Sequence, residues 1–244
     1  MDIEEKIAKF KQIVNESNNI VFFGGAGVST ESGIPDFRSQ DGLYNQKYDY
    51  PPESILSHTF FVHKTEEFYK FYKDKLNAIK YEPNITHIKL AELERQGKLK
   101  AVVTQNIDGL HQKAGSKVVY ELHGSIYRNY CTKCHKFFEP EYIFNDEENI
   151  VPKCDACGGL IKPDVVLYEE GLDDDVVNGA IIAISNAETL IVAGTSLTVY
   201  PASGLIRYFK GKNLILINRD VTSYDNMASL VINDSLGKVF SSLD

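Results

Sequence analysis

The apolar positions of this chain fall into two kinds of run. Residues 2–15 carry Ile3, Ile7, Phe10, Ile13 and Val14 at helical intervals, so one stripe of a helix is apolar. Asp2 stands where it can cap that helix, and Glu5 can complete a capping box. The second kind of run is short, apolar and continuous: NNIVFFGGAGVST, LKAVVTQNID, KVVYELHG, PDVVLYEE, ETLIVAGTSL and NLILINRD. Near-continuous runs without alternation predict strands buried on both faces, hence a parallel sheet covered by helices and an α/β fold. Each run turns polar or glycine-rich at its carboxyl end, the edge at which such sheets bind ligands.

Two stretches break this rhythm. Residues 41–84 are rich in aromatics and include EEFYKFYKDKL, which predicts a helical insert. Residues 126–163 hold all four cysteines, with the acidic Asp146, Glu147 and Glu148 between the pairs. The main fold is then assigned 1–40, 85–125 and 164–244.

Composition narrows the class. With 43% hydrophobic and 25% charged residues the chain has the make-up of an ordinary globular protein. Apolar runs such as Ile20–Phe23 and Leu214–Ile217 are too short to span a bilayer, so no membrane partner is expected. The amino terminus lacks the pattern of an export signal, which predicts a cytoplasmic protein. A net charge of −8 argues against nonspecific nucleic-acid binding and suits lysine-rich partners, although solubility alone explains it equally well.

Cys131 and Cys134 form one CxxC, Cys154 and Cys157 a second, with nineteen residues between the pairs. That spacing fits a four-cysteine Zn2+ site, whose closed thiolate shell holds structure and activates no substrate. Disulfides are disfavoured in a cytosolic chain, and a redox CxxC leaves the second pair unexplained.

Gly25, Ala26 and Gly27 follow a strand and open a short helix in this reading, which lets the chain approach a pyrophosphate. Thr30 stands where the dinucleotide fingerprint wants a third glycine, and a tight structural turn is the competing reading. GIPDFRS comes next, where Phe37 could shield a ring and Arg38 could meet a phosphate or ribose; an ordinary surface loop is the alternative. Thr104, Gln105, Asn106 and Asp108 end the second run with four hydrogen-bonding side chains, more than capping a helix requires. His123 ends the next run, where a neutral imidazole could take a proton from a ribose hydroxyl. The other five histidines, among them His58, His63 and His87, show nothing convergent. Gly194, Thr195 and Ser196 suit phosphate contact, and Asn218 and Asp220 suit a ribose or adenine edge.

In order, GAGVS, GIPDFRS, TQNIDGLH, HG, the paired CxxC motifs, PDVVLYEE, GTSLTVYPA and INRD resemble the sirtuins, in a short bacterial-type catalytic core. The resemblance spans about Ile20 to Asp220. It implies a Rossmann-like large domain and a small domain made of the zinc module and the helical insert. It also implies NAD-dependent removal of acetyl or other neutral acyl groups from protein lysine. The acyl oxygen attacks C1′ of the nicotinamide ribose, nicotinamide leaves, and lysine and O-acyl-ADP-ribose result. Carried over by motif, His123, Asn106 and Asp108 are catalytic. Gly25, Ala26, Gly27, Thr30, Phe37, Arg38, Gln105, Ile107, Gly194, Thr195, Ser196, Asn218 and Asp220 face NAD. Acetyl-lysine peptides would add as a middle strand between Val165–Glu169 and Leu197–Tyr200, with Val165, Tyr168, Glu169 and Val199 in contact.

Two positions depart from the pattern: Gly24 replaces a common threonine, and Glu169 a common glycine. Members that prefer acidic acyl groups carry a tyrosine and an arginine three residues apart, whereas Tyr69 is followed by Tyr72 here. The rival readings are a dehydrogenase, a zinc-ribbon binding protein, a mono-ADP-ribosyltransferase and a desuccinylase.

Overall fold

In the computed structural model, residues 1–36, 49–146 and 148–243 are described. The capping box forms as the sequence predicts: Asp2 accepts from the Glu5 amide at 2.9 Å and Glu5 accepts from the Asp2 amide at 3.0 Å. It starts helix α1, Ile3–Glu16, which buries Ile7, Phe10 and Val14. The strands are, in chain order, β1 (Ile20–Gly24), β2 (Leu99–Thr104), β3 (Val119–Glu121), β4 (Gly124–Cys131), β5 (Phe137–Phe138), β6 (Ile161–Val165), β7 (Thr189–Ala193), β8 (Asn213–Ile217) and β9 (Leu230–Ile232). The remaining helices are α2 (Pro52–Ile55), α3 (His58–His63), α4 (Thr65–Lys75), α5 (Ile85–Arg95), α6 (Leu110–Ala114), α7 (Pro140–Phe144), α8 (Asp174–Asn186) and α9 (Leu236–Phe240).

Six strands form one sheet in the order β3-β2-β1-β7-β8-β9, every pair parallel. This is the doubly wound Rossmann-like arrangement, and its strand order reverses between β1 and β7. Both strands are buried along their whole length, which explains why neither alternates in sequence. On one face α1, α5 and α9 cover a core centred on Phe10, Phe22 and Phe240. On the other, α8 and the 3-10 segment Ala202–Tyr208 cover Phe23, Val103 and Val192.

The run Pro163–Glu170 does not join this sheet as the sequence reading expects. Its first residues lie in β6, which pairs antiparallel with β4 in a separate three-stranded sheet, β5-β4-β6. Burial alternates along β6, with Ile161, Pro163 and Val165 buried and Asp164 exposed, and the apolar VVL run straddles the strand's end instead of filling a strand covered on both faces. Strand β9, the sixth of the parallel sheet, is three residues long and too short to stand out in the apolar pattern. The small sheet shares a core with the aromatic stretch: Phe61, Phe68, Tyr69 and Tyr72 pack with Ile126, Ile143 and Ile161. The Tyr69 hydroxyl donates to the Ile161 carbonyl. Arg128 ties the two sheets together, with Nη1 on Glu121 of β3 and Nε on Asp164 of β6, both at 2.6 Å.

Beneath the second strand, His87 of α5 and His111 of α6 meet edge to face at 4.7 Å between ring centroids. The reading that the histidines outside His123 lack convergence is therefore corrected. Both rings are buried, and both His111 nitrogens and His87 Nε2 have no hydrogen-bond partner among the described residues. Burial lowers the His87 pKa to about 4 and drives that of His111 well below 6.5, the neighbouring ring adding to the effect. The unfolded chain, with ordinary histidines, therefore takes up these protons first as pH falls below 6.5. Each histidine should cost about 1.4 kcal/mol of stability per pH unit in that window. We expect the urea midpoint to fall from pH 7 to pH 5 more steeply in the native chain than in His111→Leu. Equal slopes would contradict this.

Candidate active site

Parallel register brings Gly24, at the end of β1, level with Thr104 of β2 and Ala193 of β7. At this switch point the glycine loop is pinned to the end of β7: the Gly25 amide donates to Ala193 at 3.3 Å and the Gly27 amide to Gly194 at 2.8 Å. A Cβ on Gly27 would lie 2.8 Å from Gly194 Cα, and one on Gly25 2.8 Å from Thr195 Cβ. Glycine is needed here for close approach of two chain segments. Beyond it the chain makes two 3-10 turns, Ala26–Val28 and Thr30–Ser32, where the sequence reading expects a helix. Thr30 donates its hydroxyl back to the Gly27 carbonyl at 3.1 Å and braces the turn.

Gln105 connects three elements. Its amide donates to Gly24 at 3.0 Å, its Nε2 to Thr195 Oγ1 at 3.0 Å, and its carbonyl lies 2.9 Å from His123 Nδ1. A carbonyl only accepts, so Nδ1 carries the proton and the lone pair of the neutral ring is on Nε2. Burial lowers the His123 pKa, with the Gln105 carbonyl opposing, so the ring is neutral at pH 7. Gly124, the next residue, lets the backbone turn tightly beside His123: its φ is +74, and a Cβ there would fall 1.9 Å from the Asp164 carbonyl.

Beside it, the Ser29 hydroxyl donates to Asp108 Oδ2 at 2.6 Å and accepts from Asn106 Nδ2 at 3.1 Å. Burial raises the Asp108 pKa, while the Ser29 hydroxyl and the Leu110 amide favour its ionised form. Ser29, the last residue of GAGVS, is thus the bridge between two residues that the sequence singles out, a role the sequence reading does not give it. Asn84 is a second residue that sequence reasoning misses; besides capping α5 it donates to the Val28 carbonyl at 2.8 Å and braces the glycine loop. Ile107 joins the loop to the small sheet, its carbonyl accepting from Ile126 at 3.0 Å.

Asn218, at the end of β8, accepts from the Thr195 amide at 2.9 Å, and its Nδ2 is buried without a partner. Its two N–H donors, unpartnered among the described residues, suit a ribose or adenine acceptor, so the residues present fit a dinucleotide across the switch point. Ser196 is exposed and bonds only Thr198, and Asp220 is exposed without a hydrogen bond among the described residues. Neither converges with the rest. Phe37 and Arg38 lie outside the described residues. Along the expected peptide run, Val165 is buried while Tyr168 and Glu169 are exposed. Both backbone groups of Tyr168 are already taken by Leu56 and His58. The Val166 amide is likewise taken, by the His123 carbonyl, and Val199 is half-buried.

The four cysteine sulfurs lie within 4.8 Å of one another, as one tetrahedral ion requires. Amides of Lys133 and Cys134 point at Cys131 Sγ and favour its thiolate.

Comparison with known proteins agrees with this geometry. The profile of the Sir2 family matches residues 25–201. The chain belongs to the Sir2 family. It is 64% identical over 241 residues to the NAD-dependent protein deacetylase of Clostridium acetobutylicum, covering 98% of each chain. It is 62% identical to that of Clostridium perfringens, covering 97% of this chain and 98% of the other. A Sir2 solved with a p53 peptide and NAD+ matches with a TM-score of 0.85 at 40% identity, over 99% of this chain and 96% of that one.

Within the Sir2 pattern, Tyr69 and Tyr72 are both fully buried, Tyr72 stacked between Phe68 and Phe144. Glu169 holds a left-handed backbone, φ 76, where a glycine is common in this sequence pattern. The four-thiolate set of this Sir2-family chain should bind about one zinc per chain. Cys154→Ser should lose most of that metal and lower the melting temperature. Metal content well below one in the native chain would contradict the assignment.

Proposed function

We propose that this Sir2-family chain removes acetyl or other neutral acyl groups from protein lysine, consuming NAD and releasing nicotinamide and O-acyl-ADP-ribose. The observation that carries this reading is the neutral imidazole of His123, locked by the Gln105 carbonyl with Nε2 free at the switch point. NAD supplies an electrophilic ribose carbon and keeps the acyl group as an ester. The protein's own work is to bind, orient and move one proton. His123 Nε2 takes that proton from a ribose hydroxyl, which is then free to attack the acyl-derived carbon. Asn106 and Asp108, joined through Ser29, fix the nicotinamide end. Gly25, Ala26, Gly27, Thr30, Gln105, Ile107, Gly194, Thr195 and Asn218 form the rest of the NAD site; Phe37 and Arg38 are assigned to NAD by motif alone, and Ser196 and Asp220 match the motif but stand apart from this cluster. An acyl-lysine segment adds as a strand against Val165–Glu169, and residues 41–84 and 126–163 make up the small domain.

Several relatives carry the deacetylase name, and one Sir2 structure holds a deacetylated p53 peptide with an acetyl ADP-ribose, at a TM-score of 0.88. Tyr72 favours neutral acyl groups over succinyl, because its ring fills a buried aromatic stack where a carboxylate would need a guanidinium.

Incubation with NAD and an acetyl-lysine peptide, monitored by mass, should show loss of acetyl that requires both NAD and His123. His123→Ala should lower kcat by about 10²-fold or more. A gain of ADP-ribose mass on the peptide would instead favour transfer, and faster turnover of succinyl- than acetyl-lysine would overturn the neutral-acyl reading. Because burial depresses the His123 pKa, kcat/KM should fall on acidification with a midpoint below 6.5. A midpoint above 7 would contradict a buried neutral base.

A further inference from the structure

Beside the proposed peptide strand, a cavity of about 450 Å³ opens between α2, α3 and the Tyr168–Glu169 bend. Phe60 and Tyr168 give it aromatic surface, Glu53 and Glu169 contribute carboxylates, and His63 and Lys64 complete the lining on the α3 side. The lining is net negative, because two carboxylates face only one lysine, Lys64. Its ammonium lies 2.5 Å from the Tyr50 hydroxyl and 4.3 Å from that ring's centroid. Glu169 is fixed in place by Thr59, whose hydroxyl and amide, the amide 2.9 Å from Oε2, keep its carboxyl below the usual range.

The bend itself is held from both sides. Tyr168 bonds Leu56 and His58 through its backbone, and the carboxylate of Glu170 meets His58, Lys162 and the Leu167 amide. Glu169 therefore adopts φ 76 without the freedom of glycine, a left-handed conformation that side-chain-bearing residues rarely take. A side chain kept at such a position, with its carboxylate turned to the wall of a cavity, is an observed strain that calls for a use.

We propose that this cavity selects substrates in which a basic residue, arginine or lysine, flanks the acyl-lysine: its stem lies on Phe60 and Tyr168 and its cation meets Glu169 and Glu53. The site has what such a side chain needs, aromatic surface for the methylenes and anionic oxygens at the rim. The net charge of −8 adds long-range attraction for basic segments. This inference rests on the peptide strand lying against Val165–Glu169 in the proposed function.

The test is an arginine walk. Acetyl-lysine peptides carrying a single arginine, alanine or glutamate at each of the flanking positions are compared by kcat/KM with NAD saturating. One position should prefer arginine over alanine by about three- to tenfold, with glutamate below alanine, and the preference should shrink at high salt. In Glu169→Gln and in Glu53→Gln the arginine-to-alanine ratio at that position should drop toward one, and Glu169→Lys should reverse it in favour of glutamate. Equal turnover at every position, or a preference that survives both glutamine variants, would overturn the proposal while leaving the deacylase reading intact. Absence of NAD-dependent turnover of every peptide would defeat the deacylase reading instead; the same ratios are then read from peptide dissociation constants by calorimetry, with the same two outcomes.

Discussion

Gln105 is the residue on which the site depends. At the end of β2 it bonds the last residue of β1 through its amide, the first residues after β7 through its side chain, and His123 through its carbonyl. Each bond fixes a different part of the chemistry. The first sets the glycine loop beside the strand end, the second closes the phosphate side, and the third decides which imidazole nitrogen is basic. A buried hydrogen bond of this kind contributes only about 1 kcal/mol net. Its importance is geometric, because a rotated or doubly protonated ring has no lone pair facing the crevice.

The parallel sheet supplies the reason these groups meet. Where the strand order reverses between β1 and β7, adjacent connections leave on opposite faces and the crevice stays open. Gly25 and Gly27 on one side and Gly194 on the other let the connections approach to contact distance without filling the crevice. The small domain then supplies the second wall. Its aromatic helices and its cysteine-bearing sheet form one core, which contains Cys131 and Cys154 together with Val165 and Leu167 of the run that leads to Tyr168 and Glu169.

Much of this is legible in the sequence. The capping box of α1, the strand-end polarity and the cysteine spacing each rest on a local rule, and each rule holds. The features that escape it are long-range. The PDVV run is misplaced because its apolar residues straddle the end of β6, whose burial alternates, instead of filling a strand covered on both faces. Ser29 ends the GAGVS motif but receives no role from it, because only the fold sets the hydroxyl between Asn106 and Asp108. His87 and His111 are not legible as a pair because twenty-four positions separate two rings that pack in contact. Ser196 and Asp220, by contrast, match the motif, yet the fold leaves both exposed.

The most direct test is the tautomer of His123, read by nitrogen NMR on protein labelled with 15N-histidine and assigned with His123→Ala. A base held by the Gln105 carbonyl requires a neutral ring at pH 7 with the proton on Nδ1 and an unprotonated Nε2. A ring protonated on Nε2, or an imidazolium at that pH, would contradict it.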